Sequence, residues 1–256
     1  MFMSVVDSAT RIRPSYPEIA GMRILVTGLK PAVGAELALA LAEHEARLIL
    51  AFDAEGEEVT ALTELAAQTA AELKVYTGRA TDAAASVHLA RNAVQAFGGL
   101  DVVINLADLA PADVPADATE AAIEQLVLER LTTPCLVTRI SANRMQLTRT
   151  EGLILNIAAF AAEPTPAAEA LAMFTRTALA AMTRAESRRW ADSGIRVNAV
   201  APSVVRDGGW RDAGEERRAA SNEPDLTALA LFLASGRGKS LSGHVFDAKG
   251  VAGLRG

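Results

Sequence analysis

Aromatic residues, cysteines and lysines are scarce in this chain of 256 residues. Aromatic side chains make up 4% of it, and its two tyrosines are Tyr16 and Tyr76. A single cysteine, Cys135, excludes an intrachain disulfide and favours a reducing, cytoplasmic environment. No apolar run approaches the ~20 residues that a membrane-spanning helix needs. A disulfide-stapled module and a membrane protein are therefore not expected.

An excess of positive charge is also missing. The 25 Lys and Arg residues against 31 Asp and Glu residues give a formal net charge of -6. The basic surface of a nucleic-acid-binding protein is therefore not expected. The histidines His44, His88 and His244 stand far apart and lack the spacing of metal ligands. Small-molecule ligands and other protein chains remain as candidate partners.

Short apolar runs alternate with segments of helical periodicity from residue 22 onwards. This alternation is typical of a parallel sheet covered by helices on both faces, and it predicts a doubly wound α/β fold. Because no linker or repeat divides the chain, we expect one domain over 21–256, preceded by an exposed tail over 1–20. The predicted strands are 22–26, 47–52, 73–77, 102–105, 153–157, 196–200 and 244–247, and the predicted helices are 35–46, 57–73, 84–97, 120–145, 169–190 and 225–233.

A glycine-containing turn follows the first predicted strand, with the sequence TGLKPAVG over Thr27 to Gly34. Such a turn before a helix offers free backbone N–H groups and a positive dipole end to a phosphate. The turn does not match the G-x-G-x-x-G fingerprint, and a tight strand-to-helix turn without a ligand would explain the glycines equally well.

Five motifs together resemble the short-chain dehydrogenase/reductase family over about residues 21 to 250. They are the turn at 27–34, LDVVINLA at 100–107, GLILNIAA at 152–159, SGIRVNAVAPS at 193–203 and LSGHVFDAKG at 241–250. The resemblance implies a three-layer Rossmann fold with a seven-stranded parallel sheet and a nicotinamide dinucleotide as cofactor. It also implies a homo-oligomer, a dimer or tetramer, or pairing with an active relative, through the helices 120–145 and 169–190.

The family's catalytic groups are an Asn, a Ser, a Tyr and a Lys, and the resemblance aligns them with Arg130, Ala159, Ala172 and Arg176. In the family, the Tyr hydroxyl transfers the proton and the Lys lowers the pKa of that Tyr. A methyl group can neither donate nor accept a proton, and the arginines stay charged. A different alignment does not restore the set, because helix 169–190 contains neither a tyrosine nor a lysine.

We therefore expect no catalytic residue of the family's kind. The resulting hypothesis is a non-catalytic member, a pseudoenzyme that binds a nucleotide or another ligand or acts as a scaffold. The alternative is an NAD(P)-dependent oxidoreductase for a carbonyl or hydroxyl substrate that uses other groups, with Glu163, Glu169 or Arg130 in new roles. The glutamates could equally be ordinary charges at a loop and a helix start.

The sequence leaves two possibilities, namely binding of a nicotinamide dinucleotide, NAD rather than NADP, or binding of no cofactor. Asp53, after the second strand, favours NAD over NADP because a carboxylate accepts from ribose hydroxyls and repels a phosphate. Lys30 favours NADP, whereas Pro31 removes a backbone donor and Asp108 adds negative charge near the expected diphosphate. The residues expected to contact a cofactor are Thr27, Gly28, Ala32, Val33, Gly34, Asp53, Asn105, Ala107, Arg176 and Pro202.

Overall fold

The structure is a computed structural model that describes residues 16–30, 33–78, 83–115, 117–158, 165–202 and 223–248. Strands and helices alternate through these residues, as the sequence predicts. The strands are Arg23–Leu29 (β1), Arg47–Phe52 (β2), Glu72–Thr77 (β3), Val102–Leu106 (β4), Leu153–Ile157 (β5), Arg196–Pro202 (β6) and Val245–Ala248 (β7). The α-helices are Ala35–Glu43 (α1), Glu57–Ala67 (α2), Ala83–Ala96 (α3), Glu120–Thr148 (α4), Pro166–Trp190 (α5) and Glu223–Ala234 (α6).

The strands form one seven-stranded sheet in the order β3-β2-β1-β4-β5-β6-β7, and every pairing is parallel. This arrangement confirms the predicted doubly wound α/β fold. The chain adds strands outwards from β1 in one direction and then from β4 in the other. Ligands of such sheets bind beyond the carboxyl ends of the strands at this change of direction.

Helices cover both faces of the sheet and produce three layers. On β1, Ile24 and Val26 belong to one hydrophobic cluster and Leu25 belongs to another, because successive side chains of a strand point to opposite faces. Helix α1 packs against α2 and α6, while α4 packs against α3 and α5. The inner strands β1, β2, β4, β5 and β6 are consequently buried on both sides, which explains their apolar runs, whereas the edge strand β3 is only partly buried.

Helix α2 is shorter than predicted, since it ends at Ala67 rather than at residue 73. The chain turns over residues 68–71, and the backbone N–H of Ala71 donates to the carbonyl oxygen of Ala46 at 3.0 Å. This bond brings the chain to the start of β3, where Leu73 pairs with Leu48 of β2. Because residues 72–77 pair with β2, the helix ends at Ala67, although the apolar pattern of the sequence continues to residue 73.

The folded part begins earlier than residue 21. Ile19 is fully buried in a short 3₁₀-helix, Pro17–Ile19, and Tyr16 is 5% exposed. The carboxylate of Glu18 accepts from the backbone N–H of Gly236 at 3.0 Å. Tyr16 and Ile19 are thus packed on the domain, whereas Pro17, Glu18 and Ala20 are exposed. Residues 1–15 of the predicted tail lie outside the described residues.

Two buried or half-buried carboxylates connect elements of the fold. Asp101 accepts from the side chain of Arg23 at 2.6 and 2.9 Å and from its backbone N–H at 2.8 Å, which joins the start of β1 to β4. Glu186 on α5 accepts from Nε of Arg139 on α4 and from Nε1 of Trp190, each at 2.8 Å.

In the described part of the chain, no helix is both long enough and apolar enough to cross a membrane.

Candidate functional site

A cavity of about 530 Å³ opens at the carboxyl ends of β1, β2 and β4. It lies where the strand order changes direction, and its volume is that of an ordinary small-molecule site. Helix α4 closes one side. The lining includes Thr27 and Gly28 of β1, Phe52 and Asp53 at the end of β2, Leu106, Ala107 and Asp108 at the end of β4, and Leu126, Glu129, Arg130 and Thr133 of α4.

Glycine at two positions lets the loop after β1 pack closely on β4. Gly28 has a φ of +72°, and a Cβ added to it would overlap the carbonyl oxygen of Leu106. Gly34 has a φ of +90° and is the N-cap of α1, and a Cβ there would lie 2.6 Å from Cδ1 of Leu106. Any other residue at either position would be strained and would collide with β4. These glycines therefore shape the floor of the cavity.

The loop itself is held by backbone hydrogen bonds. The N–H of Val33 donates to the carbonyl oxygen of Lys30 at 2.9 Å. The N–H of Lys30 donates to the carbonyl oxygen of Val33 at 3.2 Å. Between these two residues, Ala32 lies outside the described residues. The exchange fixes the direction in which the chain leaves β1 and carries Lys30 towards β4.

A network of buried polar side chains lies across the strands below the cavity. Thr27 Oγ1 donates to Oδ1 of Asn105 at 2.9 Å, and Nδ2 of Asn105 donates to Oδ1 of Asn156 at 2.8 Å. Thr138 of α4 also donates to Oδ1 of Asn156, at 3.1 Å. Asn105 is fully buried, so its side chain serves this network and contributes to the cavity by positioning β4 beside β1.

Three charged side chains, those of Lys30, Asp108 and Arg130, contact one another beside the loop after β1. The carboxylate of Asp108 pairs through Oδ1 with Nζ of Lys30 and through Oδ2 with Nη1 of Arg130, the latter at 3.2 Å. The side chains of Lys30, Asp108 and Arg130 are 43%, 22% and 25% exposed. We call these three residues the charge cluster. It joins the loop after β1, the end of β4 and helix α4, and its net charge is +1.

Arg176 contacts the ends of β6 and β7 and is not among the residues that line the cavity. Its Nη1 donates to the carbonyl oxygen of Pro202 at 3.3 Å and pairs with Oδ1 of Asp247 on β7. Two of the residues expected to contact a cofactor, Arg176 and Pro202, therefore bond to each other. Arg176 connects α5 to the ends of β6 and β7.

Ala172, at the position that the resemblance assigns to the proton-transferring tyrosine, is buried with 1% exposure. It belongs to a hydrophobic cluster with Ala158, Leu171 and Leu179. Among the described residues that line the cavity, none is a tyrosine. The surroundings of Ala172 are thus apolar, and its side chain has no group that could transfer a proton.

The other candidate groups have ordinary settings or fall outside the description. Glu169 is exposed in the first turn of α5, where a negative charge is favoured by the helix dipole. Burial raises the pKa of the Cys135 thiol, although the charge of Arg139 opposes this, and a raised pKa disfavours a reactive thiolate. Ala159 and Glu163 lie outside the described residues.

Sequence reasoning located much of the cavity and missed its central contacts. Of the residues expected at a cofactor, Thr27, Gly28, Asp53 and Ala107 line the cavity together, while Val33 and Gly34 shape the loop. The pairing of Asp108 with both Lys30 and Arg130 was not expected. Glu129 and Thr133 were also missed, although their spacing from Arg130 and Leu126 places all four on one face of a helix, a signal that was available.

Comparison with protein families gives a match over most of the chain. The sequence model described as short chain dehydrogenase matches residues 22–218. Galactitol 2-dehydrogenase of Agrobacterium fabrum is 26% identical over 250 residues, which cover 88% of this chain and 95% of that protein. D-threitol dehydrogenase of Mycolicibacterium smegmatis is 29% identical over 240 residues, with 87% and 89% covered.

Solved structures with the same fold are numerous. A hydroxysteroid dehydrogenase from Escherichia coli superimposes with a TM-score of 0.72 at 18% identity, covering 91% of this chain and 98% of that chain. A dehydrogenase/reductase from Sinorhizobium meliloti 1021 gives a TM-score of 0.71 at 24% identity, covering 91% and 97%. At these identities, the two structures support the fold rather than a shared activity.

Proposed function

The chain belongs to the short-chain dehydrogenase family, and we propose that it binds a nucleotide in its cavity without catalysing the hydride transfer typical of the family. The observation that carries this proposal is the apolar burial of Ala172. A proton must move to or from the substrate oxygen during hydride transfer, and a group with a suitable pKa normally moves it. The methyl group of Ala172 has no exchangeable proton.

The settings of the two arginines support the same conclusion. Arg176 stands where the family has its lysine, and it bonds to Pro202 and Asp247 instead of facing the cavity that Thr27 and Asp53 line. Arg130 stands where the family has its asparagine, and it pairs with Asp108. A guanidinium stays protonated at any accessible pH, so neither arginine can relay a proton.

Members of this family generally bind NAD or NADP, and one half of the cavity fits such a cofactor. Thr27 and Gly28 line the cavity at the end of β1, next to the loop that precedes α1, and Asp53 can accept hydrogen bonds from the hydroxyls of an adenosine ribose. The nicotinamide half lacks the tyrosine and the lysine. We therefore propose that the adenosine part carries most of the affinity and that NAD binds better than NADP, since Asp53 would repel a 2'-phosphate.

The experiment is a calorimetric titration of the full chain with NAD and NADP in both redox forms, followed by turnover assays with polyols and ketones. We expect binding of NAD without a change in its redox state. Asp53→Asn is the variant that reports on the site, and it should weaken NAD binding about tenfold or more because a charged hydrogen bond is lost. Asp192→Asn, an exposed change at the opposite end of the sheet, is the matched control.

The names of the relatives define the competing function, an oxidoreductase that uses other groups. Galactitol and threitol belong in the substrate panel for this reason. Turnover of any substrate that depends on a dinucleotide and falls in Asp53→Asn would establish that function and refute the non-catalytic proposal. Failure to bind any of the four nucleotides would refute the ligand-binding part.

Self-association through α4 and α5 remains a proposal. Several apolar side chains on these helices are buried inside the domain, among them Leu131, Leu171 and Leu179. Others on the same helices are exposed: Leu128 by 53%, Leu147 by 68% and Met173 by 49%. Light scattering of the purified chain gives its mass in solution and tests the proposal directly.

A further inference from the structure

We propose that Asp108 is an internal anion that competes with the phosphates of a nucleotide for Lys30 and Arg130. The inference rests on the proposed function, since it describes how that same cavity selects its ligand. Asp108 uses one carboxylate oxygen for each cation, so a single side chain occupies both. The ligand class that can replace it is an anion with several oxygens, such as a diphosphate.

The position of the charge cluster explains why this exchange involves the ligand. Asp108 and Arg130 line the cavity, and Lys30 lies in the loop after β1, between the two glycines that pack against Leu106 of β4. A diphosphate that reaches the loop from a nucleotide in the cavity therefore meets all three side chains. It is attracted by Lys30 and Arg130 and repelled by Asp108.

The exposure of the cluster explains why the exchange is possible. Each of the three side chains keeps between 22% and 43% of its surface exposed, so both ion pairs can separate without opening the hydrophobic core. Ion pairs that water reaches are weak, and a ligand with more negative charge than one carboxylate can replace them. Without Asp108, the two cations would present a net charge of +2 to the ligand instead of +1.

This competition makes a prediction about ligand type. A ligand with phosphates has to break both ion pairs, whereas a neutral ligand in the adenosine part of the cavity leaves them in place. Neutralising Asp108 should consequently strengthen the binding of ADP and leave the binding of adenosine unchanged. From the interaction of unit charges about 4 Å apart near a protein surface, we expect ADP to bind at least about tenfold more tightly.

The test is a titration of ADP and of adenosine into the full chain and into Asp108→Asn, which keeps the size and shape of the side chain. Asp192→Asn is the control, because it makes the same change in net charge at an exposed position at the amino end of β6. A second variant, Asp108→Asn with Lys30→Met, should lose most of the gain. Circular dichroism and thermal melts verify that each variant is folded.

The affinities of ADP and adenosine decide whether Asp108 competes with the phosphates. Tighter ADP binding in Asp108→Asn alone, with adenosine unchanged and the gain reduced in high salt, supports the competition. Equal ADP affinity in the chain and in Asp108→Asn overturns it and leaves the proposed nucleotide binding intact. An equal gain for adenosine, or a gain in Asp192→Asn, also overturns it. Binding of ADP to no variant overturns both proposals.

Discussion

Replacing Gly28 by alanine should lower the stability of the domain more than any ordinary glycine-to-alanine change. Two costs follow from the structure. The first is the backbone conformation, since a φ of +72° costs a residue with a Cβ about 1–2 kcal/mol. The second is the overlap of the new Cβ with the carbonyl oxygen of Leu106, which is backbone and has no flexible end that could move aside.

The two costs can be separated with a matched control. Gly21 has a φ of +74°, almost the same as that of Gly28, but a Cβ added there meets nothing within 4 Å. Gly21→Ala should therefore show only the conformational cost, which we take as about 1 kcal/mol, the lower end of that range. Gly28→Ala adds the cost of inserting an atom into a filled space, about 3 kcal/mol, for a total of about 4 kcal/mol.

Thermal unfolding followed by circular dichroism measures both variants. For a domain of this size, about 1 kcal/mol corresponds to a shift of about 2–4 °C in melting temperature. We expect a fall of about 2–4 °C for Gly21→Ala and about 8–16 °C for Gly28→Ala, with NAD binding lost only in the latter. If the two variants melt within 2 °C of each other, the close approach of β1 to β4 is not what requires glycine.

Two further predictions concern the carboxylates that join elements of the fold. Burial by itself would raise the pKa of Asp101, but the hydrogen bonds and the charge of Arg23 outweigh it and hold the pKa below the ordinary value. The group stabilises the fold above its unfolded-state pKa of about 4, and this contribution is lost as the pH falls through the lower folded-state pKa. At neutral pH, Asp101→Asn should therefore melt at a lower temperature than the unchanged chain. As the pH falls, its melting temperature should decrease less steeply than that of the unchanged chain, and parallel plots of melting temperature against pH would contradict this. Glu186→Ala should cost about 2 kcal/mol because the buried N–H of Trp190 loses its acceptor, and urea unfolding monitored by tryptophan fluorescence should detect the loss; an unchanged unfolding midpoint would show that the bond contributes nothing.

The fold could be predicted from the sequence because its pattern is local. Parallel strands buried on both faces read as continuous apolar runs, and the helices between them keep their own periodicity. The prediction was wrong where tertiary pairing overrides the local pattern. Helix α2 ends at Ala67, and Ala71 then bonds to Ala46, the residue before β2, a contact that an apolar pattern alone cannot show.

The site could be predicted only in part, for a related reason. Thr27, Gly28 and Asp53 follow from the rule that strand ends meet at one edge of the sheet. The partners of charged side chains follow from distances between elements that are remote in sequence. Nothing in the sequence pattern places Asp108 between Lys30 and Arg130, or Arg176 beside Asp247.

The buried bonds between Asn105, Asn156 and Thr27 also have a consequence for how the chain folds. In the native register Asn105 pairs with Thr27 on one side and with Asn156 on the other. A slip of β5 by one residue against β4 would turn Asn156 to the opposite face, and its Oδ1 would lose the hydrogen bonds that it accepts from Asn105 and Thr138. Hydrophobic strands as uniform as these offer little else to distinguish one alignment from the next. The hydrogen bonds of Asn105 with Thr27 and Asn156 therefore favour the native register of β1, β4 and β5. The strand ends that form the cavity are aligned when these bonds are made.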